Sequence, residues 1–144
     1  MEPKDAHSQN SRPEAPLPNQ GALNQGPPNP GLPGLVIHGS GPDSGTWLAG
    51  LLRSAVRARS ALGSERPLEV VVQGFGVRLL RLGIGDPSVL DAALSGDIHV
   101  LACENSMSRA DVHKDELHRG VETVDAAVAH LARRQWEGWA YVRL

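Results

Sequence analysis

The chain has 144 residues, 40% hydrophobic and 21% charged, with a formal charge of -2 at pH 7. That length suits one domain, and the nearly balanced charge gives no electrostatic footprint for nucleic acid or an anionic membrane. A single cysteine excludes an intramolecular disulfide and a cysteine-based zinc site.

Residues 1–33 hold most of the eleven prolines, set among Asn, Gln, Ser and Gly with few apolar residues. Such a segment buries too little surface to offset its ordering entropy, so a disordered tail is expected, a proline-rich peptide ligand being the other reading. No basic, apolar, small-residue succession opens it, and no apolar run anywhere reaches membrane-spanning length; a soluble, cytoplasmic protein is the expectation.

The folded part is expected over residues 34–144. Gly34-Leu35-Val36-Ile37-His38-Gly39 predicts a short strand stopped by Gly39-Ser40-Gly41-Pro42. Asp43 or Ser44 can then cap a helix to about Leu62, with Trp47, Leu48, Leu51, Leu52, Ala55, Val56 and Ala58 near helical spacing. Arg53, Arg57 and Arg59 fall mostly off that stripe as solvated charge, and Gly63 stops the helix. Leu68 to Gln73 is a β-branched strand that runs into Gly74-Phe75-Gly76. Val77 to Leu82 suits strand or helix equally. Asp86-Pro87 starts a helix to about Leu94, an N-cap side chain followed by proline at the first helical position.

Ile98 to Cys103 then predicts a buried central strand that delivers the chain's one thiol to a carboxyl end, the edge where open α/β sheets collect ligands. Residues 108–119 are polar, with at most a turn or two of helix near Lys114 to His118. Val121 to Val124 is a short strand. A helix from Ala126 to about Trp136, capped by Asp125, turns Val128, Leu131, Ala132 and Gln135 toward the sheet, and Trp139-Ala140-Tyr141-Val142 closes the chain as a last strand. Strand and helix alternate with short links, which argues for a single α/β domain on a five-stranded, mainly parallel sheet with helices on both faces.

Ala102-Cys103-Glu104-Asn105-Ser106-Met107, then Lys114-Asp115-Glu116-Leu117, Gly120-Val121 and the closing Glu137-Gly138-Trp139-Ala140-Tyr141-Val142 resemble the DsrE/DsrF-like (YchN-like) family. The resemblance spans roughly residues 34 to 144. It implies a sulfur carrier or sulfurtransferase-like protein in which Cys103, following the third strand, accepts sulfane sulfur as a persulfide and relays it to an acceptor thiol. It also implies sulfur donor and acceptor proteins and a homo-oligomer, trimer or hexamer. Gln73 stands where the family commonly has histidine, and His113 where threonine is frequent.

From the residues themselves, Cys103 is either a small buried apolar residue or a reactive thiol. The chemistry needs a thiolate, which free N–H groups of Glu104, Asn105 and Ser106 would favour. The Glu104 carboxylate would oppose it, and Arg109 would compensate. Gly74 and Gly76 supply either a sharp turn or close approach to a ligand, and Gly39-Ser40-Gly41 has the same two readings. No Gly-Xaa-Ser-Xaa-Gly elbow is present. His99 and Cys103 on one strand lie roughly 13 Å apart, too far to share a metal, and no cofactor is implied. Trp136 and Trp139 either cover the core edge or mediate association. The alternative to sulfur relay is a non-catalytic, oligomeric or small-ligand-binding module in which Cys103 is structural.

Overall fold

A computed structural model describes residues 31–144. The expected proline-rich tail, through residue 30, lies outside the described residues. Five strands, β1 (Leu35–Ser40), β2 (Leu68–Gln73), β3 (Ile98–Cys103), β4 (Glu122–Val124) and β5 (Ala140–Arg143), form one sheet in the order β4-β3-β2-β1-β5. All four pairings are parallel. The helices are α1 (Gly45–Leu62), α2 (Pro87–Ser95), α3 (Glu104–Ala110) and α4 (Ala127–Trp136), with 3-10 helices at Gly74–Leu80 and Lys114–Glu116.

The topology follows from chain direction. β1 to β4 step one way across the sheet, so right-handed crossovers put α1, α2 and α3 on one face; the return from β4 to β5 puts α4 on the other. The two hydrophobic clusters divide accordingly. Ile37, Val70, Val72, Val100 and Ala102 meet α1, α2, α3 and the first 3-10 helix. Val36, Val71, Leu101 and Cys103 meet Ala127, Leu131 and Trp139. Covered on both sides, β2 is buried from Leu68 through Val72, which explains its apolar residues and leaves Glu69 as the one charge among them.

Local signals operate as expected at several ends. Asp86 accepts a hydrogen bond from the Ser88 backbone N–H at 2.9 Å and Pro87 opens α2. Gly63, at φ 76°, ends α1. Val77 to Leu82, open between strand and helix in the sequence, divides: the 3-10 helix continues to Leu80, and Arg81 then makes an isolated antiparallel bridge to Leu117.

Three expectations are corrected. Val128 is 70% exposed and Gln135 is exposed; Ala127, His130 and Leu131 are buried on α4 instead. The helix has turned because His130 and Arg134 both reach Glu69, a carboxylate on the second residue of β2. Arg59 is not simply solvated: it donates to the carbonyls of Gly63, Arg66, Gly96 and Asp97, tying the end of α1 to the turn before β3. The third correction concerns Cys103 and belongs to the site.

Candidate functional site

Three glycines shape the carboxyl edge of β1 and β2. A Cβ at Gly41 or Gly76 would run into the indole of Trp47, so these residues let the ring of α1 lie flat under two turns. Gly74 sits at φ 80°, where an added Cβ would come 2.8 Å from the Gly41 carbonyl oxygen. The Gly-Xaa-Gly steps are therefore packing and turn devices. They bring β1's end, β2's end and α3 together, with Gly76 N–H donating to Gly41 O at 3.0 Å.

Between these elements lies a cavity of about 170 Å³ lined by Ser40, Gln73, Gly74, Phe75, Ser106 and Arg109. Gly74 N–H donates to Ser106 Oγ at 2.9 Å, holding α3 against the turn. Gln73 Oε1 lies 2.9 Å from His38 Nε2, and His38 Nδ1 lies 2.8 Å from the Tyr141 hydroxyl. This chain of contacts crosses the second face from β5 to the cavity. Arg109 is exposed and has no hydrogen-bond or ion-pair partner among the described residues.

Of the residues singled out from sequence, Gly74, Ser106 and Arg109 meet here, and Gly76 packs just behind on Trp47. Glu104 turns elsewhere. It accepts from Thr123 Oγ1 at 2.7 Å and pairs with Lys114 Nζ at 2.6 Å. Those contacts, Lys114 foremost, hold its carboxyl below the ordinary range. The loops leaving β3 and β4 part to opposite faces, the kind of switch point where a crevice is expected; Glu104 bridges it. Asn105 is exposed.

Cys103 ends β3 and precedes α3 directly, but its side chain is 1% exposed. It packs with Val36, Val71, Leu101, Ala127, Leu131 and Trp139 beneath α4. The expectation of a thiol open at the sheet's rim is corrected: strand alternation sends residue 103 to the second face, which α4 covers. Trp139, 8% exposed, caps that cluster, whereas Trp136 is 83% exposed.

Sequence reasoning missed the cluster under α4. Glu69 Oε2 receives His130 Nε2 at 2.7 Å, and Glu69 Oε1 receives Arg134 Nη2 at 2.6 Å. Arg134 also pairs with Glu137 at 2.9 Å and lies 4.3 Å over the Trp139 ring. Burial pushes the Glu69 carboxyl up, and the hydrogen bonds from His130 and Arg134 more than offset it, so its pKa lies below the usual value. One signal was available: a lone glutamate near the start of an otherwise apolar strand. Its partners, 61 and 65 residues away, carry no such mark.

Among the described residues the remaining histidines each face one carboxylate, His99 with Glu122, His113 with Asp111 and His118 with Asp91. Among the described residues no group of three or more His, Cys, Asp or Glu side chains is placed to hold a metal ion. No helix among them is long and apolar enough to cross a membrane.

Comparison with known proteins gives the fold its relatives. The protein of unknown function MTH1491 from Methanobacterium thermoautotrophicum is 30% identical, with a TM-score of 0.68 over 77% of this chain and 98% of its own. The YchN protein from E. coli shares 18% identity and a TM-score of 0.66, over 78% of this chain and 100% of its own. The chain belongs to the YchN-like family. A conserved protein of unknown function from Bacteroides thetaiotaomicron, BT1422, matches the YchN-like domain at 16% identity and a TM-score of 0.58, over 78% of this chain and 95% of its own. No family model matches the sequence, and no curated protein does.

Proposed function

We propose that this YchN-like domain is a small-ligand-binding module that takes its ligand at the carboxyl ends of β1 and β2, with Cys103 as packing. One observation carries the reading: the polar cavity holds an unpaired cation, while the only thiol lies sealed beneath α4. The expected result is that native protein resists alkylation by iodoacetamide and reacts fully once unfolded, while a fragment screen followed by amide chemical shifts moves Gly74 and Ser106. Rapid native alkylation, with those amides unmoved by any fragment, would refute it.

A second reading keeps the relay that the family resemblance implies. Cys103 closes β3 and leads straight into α3, whose Ser106 reaches the cavity. If α4 lifts, the thiolate attacks the outer sulfur of a donor persulfide, the donor thiolate leaves, and an acceptor thiol later takes the sulfur. Added sulfur mass on Cys103 after incubation of the folded protein with a sulfane donor would favour this reading over the first.

We also propose a homo-oligomer, trimer or hexamer. Supporting it, Trp136, Tyr141, Val142 and Leu144 expose apolar surface around the edge strand β5. Light scattering reporting a monomer would end this part of the proposal.

A further inference from the structure

We infer that the ligand of the cavity at the ends of β1 and β2 is a small oxyanion, an inference that rests on the binding reading above. The polar side chains of the lining can all donate. Gln73 has its Oε1 engaged by His38 Nε2, so its amide NH₂ is the group left for the cavity. Ser106 Oγ already accepts from Gly74 N–H, so its own O–H is left to donate. Ser40 adds a second hydroxyl, and Arg109 adds a guanidinium with no counter-charge among the described residues.

No carboxylate lines the space. The acidic groups on neighbouring elements are held by other cations: Asp43 faces Arg78 at 3.9 Å and Glu104 pairs with Lys114 at 2.6 Å. Phe75, whose other neighbour is the Arg78 guanidinium 5.1 Å over its ring, supplies one apolar wall. A cation and three polar side chains without an acidic partner select against cationic ligands and leave neutral ones with a charge unmatched. Size narrows the class further. Pockets for drug-sized ligands occupy about 300–1,000 Å³; this one, at about 170 Å³, suits a tetrahedral inorganic anion or a short carboxylate.

The test uses the full chain at constant ionic strength, titrated with sulfate, inorganic phosphate and acetate, with dimethyl sulfone as the neutral counterpart of sulfate. Backbone amide shifts of Gly74 and Ser106 report occupancy. Saturable shifts with at least one anion and none with dimethyl sulfone are expected. Arg109→Ala, at an exposed and unpaired position, should keep the fold and weaken that anion roughly tenfold to a hundredfold, the range for a charge-assisted contact. Arg109→Lys should fall between the two. Equal binding of the anion by Arg109→Ala, or equal binding of dimethyl sulfone, would overturn the oxyanion assignment while leaving a ligand site in place. If neither the anions nor any fragment moves those amides, the assignment and the binding reading fall together.

Discussion

Replacing Glu69 by leucine tests the account of how α4 is held. The carboxylate receives His130 Nε2 at 2.7 Å, Arg134 Nη2 at 2.6 Å and Arg134 Nε at 3.1 Å, in a buried position against the second face. Removing one partner from a buried charged set costs about 3–5 kcal/mol, because the other partners keep their desolvation without their compensation. Arg134 retains Glu137 and the Trp139 ring and is only partly buried, so the low end applies: about 3 kcal/mol. For a domain of this size that is a fall in melting temperature of roughly 10 °C. Urea unfolding followed by circular dichroism measures it.

The loss should also depend on pH. The native Glu69 pKa lies below its ordinary 4.5, so its contribution is present above that value and fades as pH falls through the native one. The gap between wild type and Glu69→Leu should therefore be full at pH 7 and narrow toward pH 3. Pairing Glu69→Leu with Arg134→Met should recover part of the loss, since the stranded cation goes too. A single variant within about 1 kcal/mol of wild type, with a gap that stays flat across pH, would refute the reasoning.

Gly74→Ala should destabilise by about 1–3 kcal/mol, because the side chain meets both a positive φ and the Gly41 carbonyl; a neutral effect in thermal unfolding would contradict the turn described. Cys103→Ala should cost about 1 kcal/mol, the loss of one buried group of methylene size, and leave the native spectrum unchanged. A stabilised variant would mean that the thiol is not well packed under α4.

Much of the fold was legible because the signals are local. Asp86-Pro87 starts α2 through a contact two residues long, Gly63 ends α1 through its own φ, and the β-branched run of β2 reports burial on both faces. The candidate site was legible in part. Ser106 and Arg109 stand out by nearness to Cys103 in sequence and Gly74 by its Gly-Xaa-Gly step; they meet around the end of β2, and the thiol is not with them. Gln73, which stands where the resemblance expects histidine, meets His38 through its Oε1 and lines the cavity.

By itself, then, the sequence determined the order of the elements, most of their ends and the parallel sheet, since each depends on residues within a turn or two of one another. Tertiary structure alone decided which side chains share a space. The second face is covered by α4, so Cys103 is buried there. Its helix settles with His130 and Arg134 inward because Glu69, some sixty residues earlier, is a buried charge that must find donors. That pairing overrides the apolar stripe that would have turned Val128 inward, since a buried carboxylate without partners costs more than one exposed valine.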